Sequence, residues 1–413
     1  MSAALRFCLV TTFYPPYHFG GDAVFVHRLA NALAARGHSV DVVHSVDAYH
    51  LSRPAPHEGF AETPGVRRLP LQTSFPLLAT LAAHQVGGPG PYGKRLREIL
   101  APGRYDVIHF HNVSLVGGPD VLRLGDAVKL YTAHEYWLVC PTHVLFTFDR
   151  EACHEKKCIR CTLHSRRPPQ LWRTTNHLGR CLAHLDRLLM PSRFAMRRHA
   201  DDGVKAAMEL LPSFVPIPRD EPSPPERGAS FLFVGRLEKL KGLQDLFPML
   251  RDFPQARLRI AGTGNYEAQL RSLASGLGNV EFLGQVHPSR VAELYREALA
   301  VVVPSLCYEV FPLAAVEALA HGVPVISRRI GALTEVVEES GGGLLFDTPA
   351  QCRAAMEQLL ASPGLRADLS ARGRRTALQR WTEEVHLRQY LGLIGNLMQD
   401  RAAARRAEGR LAP

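Results

Sequence analysis

The sequence predicts two α/β domains, each a parallel sheet wound with helices on both faces, set opposite one another across a cleft. Three observations carry this. Short apolar runs alternate with longer amphipathic ones through both halves of the 413 residues, the pattern of strand-helix-strand units. A proline-dense stretch with Pro212, Pro216, Pro218, Pro222, Pro224 and Pro225 interrupts that alternation midway, where neither a helix nor a central strand is tolerated. The length suits two domains of ordinary size, each able to bury a large core.

In the first half, residues 5–13, 39–46, 105–111, 128–133 and 188–190 read as buried strands. The helix after the first strand is the clearest, because Val24, Phe25, Leu29, Leu33 and Ala34 recur at helical spacing and Gly37 supplies a stop. In the second half, residues 230–234, 257–261, 280–283, 299–303 and 323–326 restart the strand series. The expected divisions are a first domain at 1–214, a linker at 215–228, a second domain at 229–380, a helix at 381–400 and a frayed Ala/Arg-rich tail at 401–413.

Composition narrows the class of protein. With 46% hydrophobic and 21% charged residues, collagen, coiled coil and disorder are excluded, and no apolar run approaches the roughly 18 residues of a membrane-spanning helix. The N-terminus carries one arginine before a brief apolar run ending at Pro15-Pro16 and has no secretory cleavage pattern, so a cytoplasmic location is expected. The formal charge is +10. Residues 1–149 are nearly balanced, with 12 Lys+Arg against 11 Asp+Glu, whereas residues 150–205 hold 13 against 5. Such a stretch suits an anionic partner: phospholipid head groups, a pyrophosphate-linked acceptor or nucleic acid; a solvated basic face accounts for it equally.

The second half holds the chemistry. Strand 230–234 runs into Gly235-Arg236-Leu237-Glu238-Lys239-Leu240-Lys241-Gly242. Arg236 and Lys241 therefore lie just past a strand's carboxyl end, where ligands of open parallel sheets bind. Two cations there suit a diphosphate and the charge developing on a leaving group, although a solvated turn explains the same residues. Further on, strand 299–303 is followed by a loop with Glu309, and Pro312 fits the first turn of a helix from Leu313. A strand-loop-helix of this form aims free backbone N–H groups at an anion. Glu317, on that helix, can face the same cleft as Glu309, and carboxylates accept from vicinal hydroxyls.

The run from Glu309 to Glu317 and on to Ile326 resembles the glutamate-x7-glutamate signature of the retaining glycosyltransferases of family 4, which have the GT-B fold of two Rossmann-like domains. Phe233-Val-Gly-Arg236 with Lys241-Gly242, Ala261-Gly-Thr-Gly264, Gly331 with Glu335-Val-Val337, and 341–346 resemble the rest of that family's donor domain. Tyr14-Pro-Pro-Tyr-His-Phe-Gly-Gly21 and Leu29 to His38 resemble its opening loop and helix. The resemblance implies a hexosyltransferase that moves a sugar from a nucleoside diphosphate sugar to a hydroxyl acceptor, with no cofactor required for catalysis. Arg236 and Lys241 would hold the diphosphate, Glu309 and the backbone at Val310, Phe311, Pro312 and Leu313 the sugar, and Glu317 the ribose. Gly20 and Gly21 would let backbone approach the phosphates, and His134 would lie beside the reacting sugar. The resemblance also implies an acceptor-side first domain, closure of the two domains on the donor, and a helix at 381–400 that crosses back to the first domain. Many members carry glycines where this chain has Val310 and Pro312, which bears on sugar identity. The acceptor expected is a glycan, lipid-linked or other cell-envelope molecule, whose anionic groups the basic stretch would suit, with peripheral contact at the inner membrane face.

Independently, Cys140, Cys153, Cys158 and Cys161 form C-x12-C-x4-C-x2-C within an insertion at about 138–170. In a reducing compartment this reads as a metal site. Structural zinc suits four thiolates; an iron-sulfur cluster or unligated thiols are the alternatives. Pinned by a metal, the insertion would present the basic run as an acceptor or membrane platform. Two other functions compete: a sugar-nucleotide epimerase of GT-B shape, and a zinc-containing nucleic-acid-binding protein. The family motifs disfavour the first. The second lacks interleaved aromatics, since residues 150–205 hold only Trp172 and Phe194, so no nucleic-acid partner is expected. Nowhere are two aspartates separated by one residue, the usual manganese seat of the other main transferase fold.

Overall fold

Strands covered on both faces need apolar residues at successive positions, and the central strands comply: Phe7 to Val10, Val107, Ile108 and Phe110, and Val301 and Val302 are all at most 1% exposed. In a computed structural model, which describes residues 4–51, 60–218 and 230–411, these runs form two parallel sheets. The first half contains β1 (Arg6–Val10), β2 (Ser39–Ser45), β3 (Val66–Leu71), β4 (Val107–Phe110), β5 (Val128–Thr132), the short β6 (Phe146–Thr147) and β7 (Glu151–Ala152), then β8 (Arg187–Met190) and β9 (Met208–Leu210). Seven of these make one sheet in the order β3-β2-β1-β4-β5-β8-β9, while β6 and β7 pair as a separate antiparallel ribbon. The second half contains β10 (Ser230–Val234), β11 (Leu258–Ala261), β12 (Val280–Gly284), β13 (Ala298–Val303), β14 (Val325–Arg328) and β15 (Gly343–Phe346), ordered β12-β11-β10-β13-β14-β15. In each sheet the order reverses beside the first strand, the switch point where doubly wound sheets open a ligand crevice.

Besides the two-residue β6 and β7, three strands escape the apolar-run reading. β3 has the sequence VRRLPL and is buried only at Leu71. β9 has three residues, and β15 begins with a glycine. Each lies at a sheet edge, where one flank needs no apolar cover and a continuous run is not required.

The change of core between the halves occurs within one step of the chain. Phe214 packs in the core with Phe7 and Tyr390, whereas Val215 packs with Trp381 and Val301, and the Val215 N–H donates to the Trp381 carbonyl at 3.0 Å. Residues 219–228 of the expected linker lie outside the described residues.

Helix Glu383–Leu411 returns to the first sheet, burying Leu387, Tyr390, Ile394 and Leu397 against it. This corrects the reading of 401–413 as a frayed tail, since the helix continues through Leu411. Arg401 anchors it, with Nη2 at 2.8 Å from Asp186 and Nη1 donating to the Asp126 carbonyl at 2.7 Å. Composition rich in Ala and Arg favours helix as readily as it suggests fraying, and this ion pair decides the outcome.

Beneath that helix lies a group of buried histidines. Tyr390 Oη and His109 Nδ1 are 2.9 Å apart, and His109 Nε2 reaches Thr132 Oγ1 at 2.8 Å. His111 Nδ1 and His134 Nε2 are hydrogen-bonded at 2.9 Å, and His386 Nδ1 meets the Pro212 carbonyl at 2.8 Å. Burial pushes His109 and His111 well below the ordinary imidazole range and lowers His134 and His386 to about 4.

Two outcomes are expected. Tyr390→Ala empties a fully buried aromatic site and should cost about 3–5 kcal/mol, read from the denaturant midpoint of the first domain. Between about pH 6.5 and about 4 the unfolded chain binds more protons than the folded one, because the folded imidazoles resist protonation. Stability should therefore fall with falling pH across that window, and His386→Gln should flatten the slope in denaturant titrations at stepped pH.

Candidate active site

Strand β10 ends at Val234 and strand β13 at Val303, neighbours in the sheet, so the loops that follow them emerge side by side. Gly242 has φ +75°, and a Cβ there would collide with the Pro304 carbonyl. Only glycine lets the turn after β10 lie against the loop after β13. That contact brings Lys241 to Glu309: Nζ is 2.6 Å from Oε1. Ser305 donates its hydroxyl to the same oxygen at 2.8 Å. Burial by itself would raise the Glu309 carboxyl, but Lys241, Ser305 and Arg236 outweigh it and hold the group below its usual range. Burial likewise works against charge on Lys241, and Glu309 reverses it, so the ammonium lies above its usual value. The pair stays ionised through the physiological range. Arg236 stands half-exposed at the rim, paired with Glu238 at 2.8 Å.

Helix Leu313–Ala320 follows, with Pro312 at its cap, one position before the first turn in which the sequence placed it. Of the backbone donors expected at 310–313, Pro312 has none, and the Leu313 N–H turns to the Phe311 carbonyl at 3.0 Å. Val310 and Phe311 retain theirs, with no acceptor among the described residues. Glu317 lies further along the helix. Its Oε1 accepts from Arg28 Nη2 at 3.0 Å and its Oε2 from the Tyr295 hydroxyl at 3.2 Å.

Arg28 belongs to the first half of the chain, on helix Gly21–Ala34, and the two halves meet here at several points. Gly21 opens that helix, and a Cβ on it would come within 2.9 Å of Leu313 Cδ1. Gly20, at the cap, is extended. Ser192 donates to the Val310 carbonyl at 2.7 Å, and Tyr136 donates to the Glu309 carbonyl at 3.3 Å. Glu335 accepts the Arg193 and Phe194 N–H groups at 2.9 and 2.8 Å, closing the N-terminus of helix Arg193–Asp201 from the other half.

His134 lies two residues past β5, against Phe25 and His111. With its pKa near 4, it is neutral at physiological pH and can accept or donate a hydrogen bond but supplies no positive charge. Cys140, Cys153, Cys158 and Cys161 converge separately, around one cavity of about 20 Å³. Their segment packs against the loop after β13: Cys140 and Cys153 share a cluster with Tyr136, Tyr308 and Val310.

Lys241, Glu309, Arg236 and Glu317 thus gather where the loops after β10 and β13 meet the first half of the chain, with Gly21 against Leu313 and Gly20 beside it. Sequence reasoning missed Arg28, Ser192, Ser305 and Tyr136. Ser305 could have been found as the residue just past a strand's carboxyl end; the other three act across the cleft and carry no local signal.

The comparisons agree with this architecture. The family model described as Glycosyltransferase Family 4 matches residues 19–219, and that for Glycosyl transferases group 1 matches residues 217–376. The glycogen synthase of Mycobacterium tuberculosis is 30% identical over 405 residues, covering 92% of this chain and 91% of that protein. A D-inositol 3-phosphate glycosyltransferase of Arthrobacter sp. is 29% identical over 388 residues, covering 87% and 85%. Among solved structures, Anabaena HepE in complex with UDP and glucose superposes with a TM-score of 0.64 at 16% identity, over 94% of this chain and 99% of that one. On this sequence kinship and this pair of sheets, the chain is a glycosyltransferase of family 4 with the GT-B fold.

Proposed function

We propose that this enzyme transfers a hexose from a nucleoside diphosphate sugar to a hydroxyl acceptor, with retention of anomeric configuration and without a required divalent cation. The observation that carries this reading is the Lys241–Glu309 pair, 2.6 Å apart at the mouth of two adjacent strands. An ammonium uses one of its three N–H bonds on Glu309, which leaves two for the phosphate oxygens of a donor. Arg236 adds a second cation, and the free N–H groups of Val310 and Phe311 add neutral donors. Together they stabilise charge on the leaving diphosphate as a metal would in other transferases. Glu309, fixed by Lys241 and Ser305 through Oε1, has Oε2 left to orient a sugar hydroxyl. Glu317 takes the ribose in exchange for Arg28. Neutral His134 accepts or donates one hydrogen bond at the sugar.

In this mechanism the acceptor oxygen bonds to the anomeric carbon as the bond from that carbon to the phosphate oxygen breaks, both on one face. The acceptor proton passes to the departing phosphate. UDP in the HepE complex supports a nucleoside diphosphate donor, and the inositol phosphate relative supports an acceptor bearing negative charge.

An acceptor at a membrane fits the surface of the first domain. Phe75, Leu77, Leu78, Val86 and Leu171 are each more than half exposed. Trp172 Nε1 donates to the His84 carbonyl at 2.9 Å, and Gln85 donates to that of Pro168 at 3.4 Å. These bonds join the two apolar segments and set the exposed Arg166 and Arg167 beside them. Apolar side chains with cations nearby suit an anionic lipid surface. No helix among the described residues is long and apolar enough to cross a membrane, so contact would be peripheral.

Lys241→Ala should reduce turnover about 10²- to 10³-fold, as removal of one oxyanion donor does, with excess chelator leaving the wild-type rate unchanged. Full activity in the variant, or an inverted product by proton NMR of the anomeric centre, would contradict the reading. In flotation with anionic vesicles, Leu77→Glu combined with Leu78→Glu should lower binding about 10-fold or more; equal recovery of variant and wild type would remove the membrane surface.

A further inference from the structure

We propose that Cys140, Cys153, Cys158 and Cys161 bind one structural zinc ion, and that the metal-bound loop braces the donor loop at Tyr308–Val310. The second half rests on the donor role given above to Glu309; the first does not.

Four observations support the site. All four thiols line the same small cavity, whose other walls include Val139, Leu145 and Phe146. All four are free of disulfides. Their hydrogen bonds are few: Cys140 Sγ and Thr142 Oγ1 are 3.2 Å apart, Cys153 Sγ lies 3.5 Å from the Glu155 carbonyl and Cys161 Sγ 3.9 Å from that of Phe146. Regular structure around them is scant, a two-residue ribbon and helix Cys158–His164, on which Cys158 and Cys161 are one turn apart on one face.

The intervening backbone is costly. His143, Leu145, Phe148 and Asp149 all have φ between +46° and +74°, a region that side chains make unfavourable. A segment so conformed needs compensation from elsewhere, and its own core is a handful of residues. Thiolate-zinc bonds supply that compensation. Zinc fits four thiolates at a closed site better than harder or smaller-coordination ions.

Among the described residues, the group whose ligand atoms all lie within 4.8 Å of one another is Asp120, His177 and Cys181. The four sulfurs therefore stand wider than a formed site, and ligation draws the loop inward, as expected where metal binding and local folding are coupled. The Asp120 group is itself accounted for by its own polar contacts, His177 Nε2 to Asp120 Oδ1 at 3.3 Å and Arg123 to the same oxygen at 3.8 Å.

The brace follows from what the loop touches. Cys140 and Leu145 share a buried cluster with Val310, and Cys153 and Tyr308 both pack against that cluster. His154 Nδ1 and the Tyr308 hydroxyl are 3.4 Å apart. Arg198 donates to the Cys153 carbonyl at 3.1 Å and lies over the Tyr308 ring. Tyr136, four residues before Cys140, donates to the Glu309 carbonyl. Slackening the cysteine loop thus frees both flanks of Glu309, and the zinc acts as a positioning group at a distance from the reacting atoms.

Protein purified anaerobically should contain about one zinc per chain by elemental analysis, and cobalt exchange should give the absorption of tetrahedral thiolate ligation. Cys158→Ser with Cys161→Ser should lose the metal and raise the donor KM on the order of 10-fold, the scale seen for groups that orient a site from behind. Tyr136→Phe, which keeps all four thiols, should raise KM while retaining zinc. Absence of metal after refolding with zinc, or stoichiometric iron with visible absorption, would overturn the site. Loss of zinc with an unchanged KM in a variant that retains wild-type circular dichroism would overturn the brace. A wild type that binds zinc yet processes no nucleoside diphosphate sugar would instead refute the donor reading and leave the metal site standing.

Discussion

The ion pair between Lys241 and Glu309 is the constraint around which the cleft is arranged. Withdrawing either charge from water costs several kcal/mol, and each makes the other tolerable only at a separation near 2.6 Å. That distance fixes the two loops after β10 and β13 against one another, and with them the positions of Tyr308 and Val310 on one side and Ser305 on the other. Gly242 is the backbone condition for it, since any side chain there would push Pro304 away. The first domain then closes on the same loop: Tyr136 and Ser192 take the carbonyls of Glu309 and Val310. One electrostatic contact in the second domain thereby sets the surface against which the first domain docks.

The legible parts of this arrangement are the local ones. Glu309 and Glu317 reveal themselves because strand, loop and helix follow one another in a short span, and Arg236 and Lys241 because a strand ends just before them. Interior strands are legible for the same reason, each being an apolar run covered on both faces. Most edges are not, β12 excepted: β3 carries Arg67, Arg68 and Pro70 in six residues, a pattern equally at home in a loop. Contacts between domains leave no trace at all in a single sequence. Arg28 and Glu317 are 289 residues apart, and nothing near either names the other. The C-terminal tail misleads for a related reason, its helix being secured by Asp186 and Asp126 from the far end of the chain.

Charge illustrates the difference between a sum and a surface. The excess of cations between residues 150 and 205 suggests a broad anionic partner, and part of it is taken up in local ion pairs and ring contacts. Lys156 and Arg198 both meet Asp202, and Arg193 meets Glu335 and Glu339. Arg173 lies over Trp172 and Trp137, its guanidinium lowered to about 10 by burial. What faces solvent beside the apolar segments is a smaller group, Arg166 and Arg167 above all. Its position next to the segment that carries Leu171 gives it meaning that the net charge does not.

The return of helix Glu383–Leu411 to the first sheet also sets an order of events during synthesis. Phe7, Val40 and Val107 belong to strands made early, but Tyr390, Ile394 and Leu397, which cover them, are made nearly last. The ribosome adds about 5–20 residues per second, so the part of that face not covered by helix Gly21–Ala34 waits on the order of ten seconds or more for its cover while the entire second domain is being made. During that interval His109, whose partner is the Tyr390 hydroxyl, has only Thr132. The second domain can complete its own core in the meantime, apart from Trp381, which arrives just ahead of the helix. The nascent first domain is thus the part of the chain most in need of protection before release, although it is the part that leaves the tunnel first.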